Sequence, residues 1–183
     1  MRKELDKYVE RVLISQEDLE KRIRELGDQI TKDYAYQQED LVLVCILKGS
    51  VVFMAELMKY IDLDCSIDFM SVSSYGSSTR SSGDVRIYKD LDNEVMGKNV
   101  LIVEDIIDSG YTLAYLKKNF EHRGANSVKV ASLLNKPSRR IADVEGDYVG
   151  FEIPDAFVVG YGLDYNQKLR NLSYIGVLKK EYQ

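Results

Sequence analysis

The chain has 183 residues, of which 45% are hydrophobic and 30% charged, and its formal net charge is −5. This length and composition predict one compact domain with a sizeable core, and the negative charge argues against nucleic acid or an anionic membrane as a partner of the whole surface. No stretch approaches the ~18 apolar residues of a membrane span, and the N-terminus has no hydrophobic run. The two cysteines, Cys45 and Cys65, stand in largely apolar sequence, which is typical of reduced, buried thiols. We therefore expect a cytoplasmic protein.

Helices and strands alternate from residue 15 onward. Ser15 followed by Asp18 is a helix-capping pattern, and apolar residues then recur at steps of three and four, which predicts an amphipathic helix over about 16–34. An apolar strand over 41–47, a turn and a helix over 51–61 follow, the order typical of an α/β fold. The inward positions predicted for this second helix are Val52, Met54, Ala55 and Met58.

The rest of the chain contains five further predicted strands, at 67–72, 85–88, 99–104, 128–134 and 157–159. Between the first two lies a Ser/Gly-rich segment, 73–83, in which Tyr75 is the only side chain suited to a core. Most segments of this composition are surface connections, and composition alone leaves that interpretation open.

The most informative segment is 100–113, where an apolar strand runs into three carboxylates and a turn of small residues. Glu104 and Asp105 follow the strand, and open α/β sheets bind ligands beyond that end. Asp108 precedes a glycine-centred turn (Ser109, Gly110, Tyr111 and Thr112) and an apolar helical pattern, an arrangement that binds phosphate. Because carboxylates repel bare phosphate, the ligand should also carry hydroxyls or metal. A phosphorylated ribose meets this requirement.

Three other positions carry weaker signals. Lys48-Gly49 follows a strand, where a cation and an open backbone can hold a pyrophosphate oxygen, although solvated lysines are common in such turns. Lys136 precedes a proline that restricts its backbone and could donate to a ring carbonyl, or it could be solvated. Phe157 could stack on a flat heteroaromatic base, or it could be a core strand residue.

The run Glu104-Asp105-Ile106-Ile107-Asp108-Ser109-Gly110 resembles the ribose-phosphate signature of the type I phosphoribosyltransferases, in the form found in their hypoxanthine-guanine branch. Five motifs match in order over about 12–177. The resemblance implies an α/β fold with a parallel central sheet flanked by helices, as a single domain over 1–183. Within it, the implied core is about 36–151, and a small hood comes from about 1–35 and 152–183.

The resemblance implies that hypoxanthine or guanine and phosphoribosyl pyrophosphate give IMP or GMP and pyrophosphate, with Mg²⁺. It also implies a homodimer or homotetramer whose substrates are small molecules. The site residues carried over are Asp108 as the general base at purine N7; Glu104, Asp105, Asp108, Ser109, Gly110, Tyr111 and Thr112 for ribose phosphate; Lys48, Gly49 and Arg170 for pyrophosphate; Lys136, Phe157 and Val158 for the purine; Glu104, Asp105 and Asp164 for the metal; and Ser74 and Tyr75 in a loop that closes over the reaction centre.

The same likeness implies a cis peptide before Lys48. Tyr111 is a departure, since some relatives have another residue there, but this position should contribute mainly its backbone N–H.

Two other functional interpretations predict different sequence features. A non-catalytic regulator is expected to carry an added domain, a basic face or altered base or loop residues. The sequence shows no added domain and no such alteration, and its net charge of −5 gives no hint of a basic face. A transferase for adenine, orotate or xanthine is the other alternative; Lys136 and Phe157 favour a 6-oxopurine, without ranking hypoxanthine, guanine and xanthine. No Walker pattern is present, and the single histidine, His122, argues against a catalytic triad or a His-rich zinc site.

Overall fold

The computed structural model describes residues 3–74 and 85–183, which form two sheets and their flanking helices. The strands are β1 (Val9–Ile14), β2 (Leu41–Leu47), β3 (Cys65–Ser74), β4 (Val85–Lys89), β5 (Asn99–Ile107), β6 (Ser127–Asn135), β7 (Tyr148–Glu152), β8 (Val158–Val159) and β9 (Ile175–Leu178). The α-helices are α1 (Lys3–Asp6), α2 (Gln16–Tyr34), α3 (Val51–Leu57) and α4 (Tyr111–His122). Short 3₁₀ turns cover Met58–Tyr60, Pro137–Arg139 and Lys180–Tyr182.

The larger sheet has six strands in the order β4-β3-β2-β5-β6-β7. All its neighbouring strands are parallel except β4, which runs antiparallel to β3 at one edge. The predicted α/β fold with a parallel central sheet is therefore confirmed. In such a sheet the carboxyl ends of the parallel strands share one edge, which brings the segments after β2 and β5 together.

Each face of the larger sheet has its own hydrophobic core. Alternate residues of β2 point to opposite faces: Leu43 and Cys45 pack with α2 and α3, whereas Val42 and Val44 pack with α4. Ser15 caps α2 as predicted, because its hydroxyl accepts a hydrogen bond from the Asp18 amide at 3.1 Å. Burial on both faces explains why the central strands are apolar throughout.

Of the four inward positions predicted for the second helix, only Met54 is buried. The helix ends at Leu57 and buries Phe53, Met54 and Leu57, whereas Ala55 and Met58 are exposed. Val52, which was also predicted to point inward, is only half-buried. Because the helix is apolar on nearly every side, its sequence has little periodicity from which the buried face could be read.

The smaller sheet joins the two ends of the chain. Its order is β1-β9-β8, and both of its strand pairs are antiparallel. The division between core and hood at residue 35 stays a prediction; helix α2, which lies within those first residues, packs against α3 and β7. Within the described ranges, no helix has the length and apolar character needed to cross a membrane.

Candidate active site

A cavity of about 320 Å³ opens at the carboxyl edge of the larger sheet, beside β2 and β5. Its lining includes residues predicted for three parts of one ligand: Lys48, Gly49, Glu104, Asp105, Thr112, Asp164 and Arg170. A larger cavity, of about 550 Å³, lies beside β1 and contains none of the predicted site residues. We place the candidate site in the smaller cavity because its polar groups converge there, and size alone carries no chemistry.

The acid pair occupies the last part of β5. Burial raises the pKa of Glu104 well above its usual range, and the neighbouring Asp105 raises it further. Burial also raises the pKa of Asp105 to about 6, against the opposing effect of backbone amides and of Arg170. Two carboxylates crowded in a poorly hydrated pocket favour hydroxyl donors or a cation as ligands.

The Lys48-Gly49 turn leaves no room for a side chain at its glycine. A Cβ atom on Gly49 would overlap the Asp105 carboxylate, and one on Gly162 would overlap the Gly49 carbonyl. The Leu47–Lys48 peptide bond is cis, as the resemblance implied. The turn therefore lies in direct contact with the acid pair on one side and with the segment after β8 on the other.

The turn after β5 presents backbone N–H groups at the start of α4. Gly110 has a left-handed backbone (φ 84°), and α4 begins at the next residue. The Ser109 carbonyl accepts hydrogen bonds from the Ile141 and Ala142 amides, both at 3.0 Å. Arg140, which the sequence analysis did not assign, donates from Nη1 to the Asp108 carbonyl at 2.6 Å and from Nη2 to the Asn135 side chain. With its carbonyls held in this way, the turn can offer its amides to an anion, since the first N–H groups of a helix have no partner within it.

A row of alternating charges begins at Asp108. Arg139 Nε lies 3.0 Å from Asp108 Oδ1, although within the described residues this oxygen has no partner with hydrogen-bond geometry, so the contact is ionic only. Arg139 Nη1 also lies 3.5 Å from Asp155 Oδ1, and Lys136 Nζ lies 3.9 Å from the same oxygen. The candidate base and the candidate purine-binding lysine thus share one charged neighbourhood.

The three residues predicted to bind the purine, Lys136, Phe157 and Val158, differ in exposure. The Lys136 side chain is only 8% exposed, so the alternative that it is a solvated surface lysine was wrong. Phe157 is 43% exposed, so it is not a core residue; its ring meets Tyr165 edge to face at 5.9 Å. Val158 is buried in β8. An exposed aromatic face beside a buried strand is the arrangement that a flat base needs for stacking.

The segment after β8 brings Asp164 and Arg170 to the same cavity. Arg170 Nη2 lies 2.7 Å from Asp164 Oδ1, and Arg170 Nη1 donates to the Gly162 carbonyl at 2.7 Å. The Gln167 side chain also takes part: its Oε1 accepts from Lys48 Nζ and from Arg170 Nη2, both at 3.3 Å. Sequence reasoning missed Gln167, because nothing in its local pattern marks it.

The residues predicted for the metal do not form a ready-made cage. Among residues 3–74 and 85–183, no three His, Cys, Asp or Glu side chains are grouped closely enough to hold a metal ion. Mg²⁺ is usually held by one or two carboxylates together with substrate phosphates and water, so the acid pair fits it without a third protein ligand. Of the predicted loop, Ser74 ends β3, and Tyr75 lies outside the described residues.

Comparison with known proteins identifies close relatives. A family model described as the phosphoribosyl transferase domain matches residues 13–166. A hypoxanthine-guanine phosphoribosyltransferase of Bacillus subtilis is 56% identical over 171 residues, covering 93% of this chain and 94% of that protein. One from Streptococcus thermophilus is 53% identical, with 97% of each chain covered. The crystal structure of a hypoxanthine phosphoribosyltransferase from Staphylococcus aureus superposes with a TM-score of 0.94 at 50% identity, covering 99% of this chain and 97% of that one.

Proposed function

The chain belongs to the hypoxanthine-guanine phosphoribosyltransferases, which are purine-salvage transferases, and from this premise we propose the reaction and the residue roles that follow. The enzyme transfers the phosphoribosyl group of phosphoribosyl pyrophosphate to N9 of hypoxanthine or guanine. IMP or GMP and pyrophosphate are the products. One observation carries this proposal: an acid pair, a lysine-glycine turn and a helix N-terminus meet at one cavity, as a phosphorylated ribose with a pyrophosphate group requires.

The ribose phosphate is bound by the segment from β5 to α4. Glu104 and Asp105 accept hydrogen bonds from the diol, and the backbone amides of Ser109 to Thr112 bind the 5′-phosphate. The pyrophosphate, on the other side of the anomeric carbon from the 5′-phosphate, is bound by Lys48, the Gly49 backbone and Arg170. The contact between Gly49 and the Asp105 carboxylate supports this assignment of subsites, because it brings the diol and pyrophosphate subsites next to each other.

Asp108 accepts the N7 proton of the purine while N9 attacks the anomeric carbon. Its position, one residue beyond β5 and beside the phosphate-binding turn, supports this role. Positive charge develops on the ribose as pyrophosphate leaves, so the neighbouring carboxylates stabilise the transition state more than the ground state. No covalent intermediate with the enzyme is needed.

The purine is selected by Lys136, Phe157 and Val158. Lys136 donates to the 6-oxo group, where adenine carries an amino group that cannot accept. The burial of its side chain beside Asp155 supports this, because a buried ammonium needs acceptors and a carbonyl oxygen supplies one. Phe157 stacks on the purine ring, and backbone groups at Val158 contact the edge of the purine.

Mg²⁺ is the proposed cofactor, and Glu104, Asp105 and Asp164 are the residues that would hold it. When bound, it offsets the charge of the departing pyrophosphate. Burial raises the pKa of Glu104 and Asp105, and the charged forms that it penalises would be compensated by a cation at this position. We also propose a cytoplasmic protein that forms a homodimer or homotetramer.

A panel of bases tests the proposal. The protein is mixed with phosphoribosyl pyrophosphate and hypoxanthine, guanine, xanthine, adenine or orotate, with Mg²⁺ or with EDTA, and the nucleotides formed are measured by absorbance and mass. We expect IMP and GMP with Mg²⁺, little AMP and no orotidine monophosphate. Ligand binding without turnover of any base would instead favour a non-catalytic regulator.

A further inference from the structure

Gln167 occupies a position between the two cations that the proposed function assigns to pyrophosphate. Lys48 comes from the turn after β2, and Arg170 comes from the segment between β8 and β9. One neutral oxygen, Gln167 Oε1, accepts a hydrogen bond from each of them at 3.3 Å. The two cations therefore converge on a single acceptor.

The backbone holds this side chain in a tight turn. Tyr165 and Lys168 exchange two backbone hydrogen bonds, of 3.0 and 3.1 Å, and enclose Asn166 and Gln167. Both enclosed residues are left-handed, with φ angles of 49° and 64°. Two-residue turns of this hand favour Asn-Gly, because glycine alone adopts the second position without a steric cost. Gln167 stands where glycine is the usual residue.

The turn also forms a hydrogen bond with Asp164, one of the carboxylates predicted for the metal. The backbone N–H of Gln167 donates to Asp164 Oδ2 at 2.7 Å, and Arg170 Nη2 lies 2.7 Å from Asp164 Oδ1. Asp164 thus fixes the Gln167 backbone relative to the Arg170 guanidinium. Consequently the Gln167 side chain has a defined place, although the residue is exposed.

We propose that the Gln167 amide oxygen holds the place of a pyrophosphate oxygen between Lys48 and Arg170 and so sets the affinity for the pyrophosphate group. A phosphate oxygen carries charge and is a stronger acceptor for both cations than an amide oxygen, so substrate displaces it. Gln167 acts through the two cations and is a positioning residue. The inference rests on the proposed function, because that function gives the two cations their ligand.

Changing the charge of the place-holding group tests the inference. Gln167→Glu puts an anion between the cations and strengthens the contact that substrate must break, because the two charged donors then bind a carboxylate in place of a neutral amide oxygen. We expect the KM for phosphoribosyl pyrophosphate to rise about tenfold, with kcat and the KM for hypoxanthine unchanged. Gln167→Met removes the acceptor at similar size, so substrate has no contact to displace and the KM should be lower than the parent's.

The control is Gln38→Glu, which adds the same charge at an exposed position before β2, at the opposite end of the strand from Lys48. A KM within twofold of the parent's in Gln167→Glu would overturn the inference, as would an equal rise in Gln167→Met. Binding of pyrophosphate with Mg²⁺, measured by calorimetry in all four proteins, should rank the variants in the same order. If the parent turned over no base, the proposed function would fail, and the pyrophosphate ranking would still decide the role of Gln167.

Discussion

At the residue scale, Asp108 is the group on which the proposed proton transfer depends. Asp108→Asn keeps the size of the side chain but removes the proton acceptor, so we expect kcat to fall by ~10²–10⁴, as for loss of a general base. The measurement is initial rate at saturating hypoxanthine and phosphoribosyl pyrophosphate. Asp143→Asn, at an exposed position beyond the turn, is the matched control. A kcat near that of the parent would reject Asp108 as the base.

Lys136 tests how the base is selected. Lys136→Ala removes the donor to the 6-oxo group, and kcat/KM for hypoxanthine and guanine should fall by an amount equivalent to ~1.5–3 kcal/mol. The KM for phosphoribosyl pyrophosphate should change little, because Lys136 lies on the purine side with Asp155. Lys118→Ala, on the exposed face of α4, should leave both parameters unchanged. An equal loss for both substrates would contradict the assignment.

At the scale of elements, the phosphate-binding turn depends on the segment that packs behind it. Arg140 is largely buried and bonds the Asp108 carbonyl and the Asn135 side chain, so Arg140→Met leaves two buried acceptors without a partner. We expect lower thermal stability, by ~1–3 kcal/mol, and weaker binding of IMP and of phosphoribosyl pyrophosphate. Arg140→Lys should recover part of both, since lysine keeps the charge but cannot bond both acceptors in the same fork.

Calorimetry and thermal unfolding separate the two effects of Arg140. If Arg140→Met loses stability but binds IMP as tightly as the parent at a temperature well below its Tm, the turn does not need Arg140 for its conformation. That outcome would limit Arg140 to a packing role.

The sequence predicts elements well where one physical requirement dominates. Strand β2 has its predicted bounds because it is apolar on both faces, whereas β5 extends past Glu104 to Ile107, where its pairing with β6 outweighs the polar residues. The prediction missed β1, β7 and β9; β1 and β9 pair with each other from opposite ends of the described residues, so their local sequence does not indicate the pairing. For the site, the acid pair and the Lys48-Gly49 turn follow from local chemistry. The contacts of Gln167 and Arg140 depend on tertiary structure and could not be predicted.

At the scale of the whole molecule, the acid pair links ligand binding to stability. Because the pKa of Asp105 is raised from 3.8 to about 6 in the folded state, this carboxyl is more often protonated in the folded protein than in the unfolded chain between those two pH values. Stability of the unliganded protein should therefore decrease as pH rises through this range. The double variant Glu104→Gln with Asp105→Asn carries no charge at these two buried positions and should be more stable than the parent at pH 7 by on the order of 1 kcal/mol. Thermal unfolding at pH 4, 6 and 7 measures this difference, and an equal difference at all three values would contradict it.

The same double variant should lose its response to ligand. Phosphoribosyl pyrophosphate with Mg²⁺ should raise the Tm of the parent by mass action, and should raise it much less in EDTA. In the double variant most of that rise should disappear, although the unliganded protein is folded. If the variant keeps the full rise, or if the parent gains as much in EDTA, the acid pair does not bind ribose and metal.

The small sheet that joins the two ends of the chain has a consequence for how the enzyme is made. Strand β1 is synthesised before the larger sheet, whereas its partner β9 and the residues from Gly160 to Arg170 are synthesised after it. The β5 to α4 segment can fold against β2 and β6 well before then, because domains form as their contacts become available during translation. Nascent chains should therefore acquire the phosphate-binding turn first and Arg170 later, so that the transferase becomes active only after the segment from β8 to β9 has been synthesised.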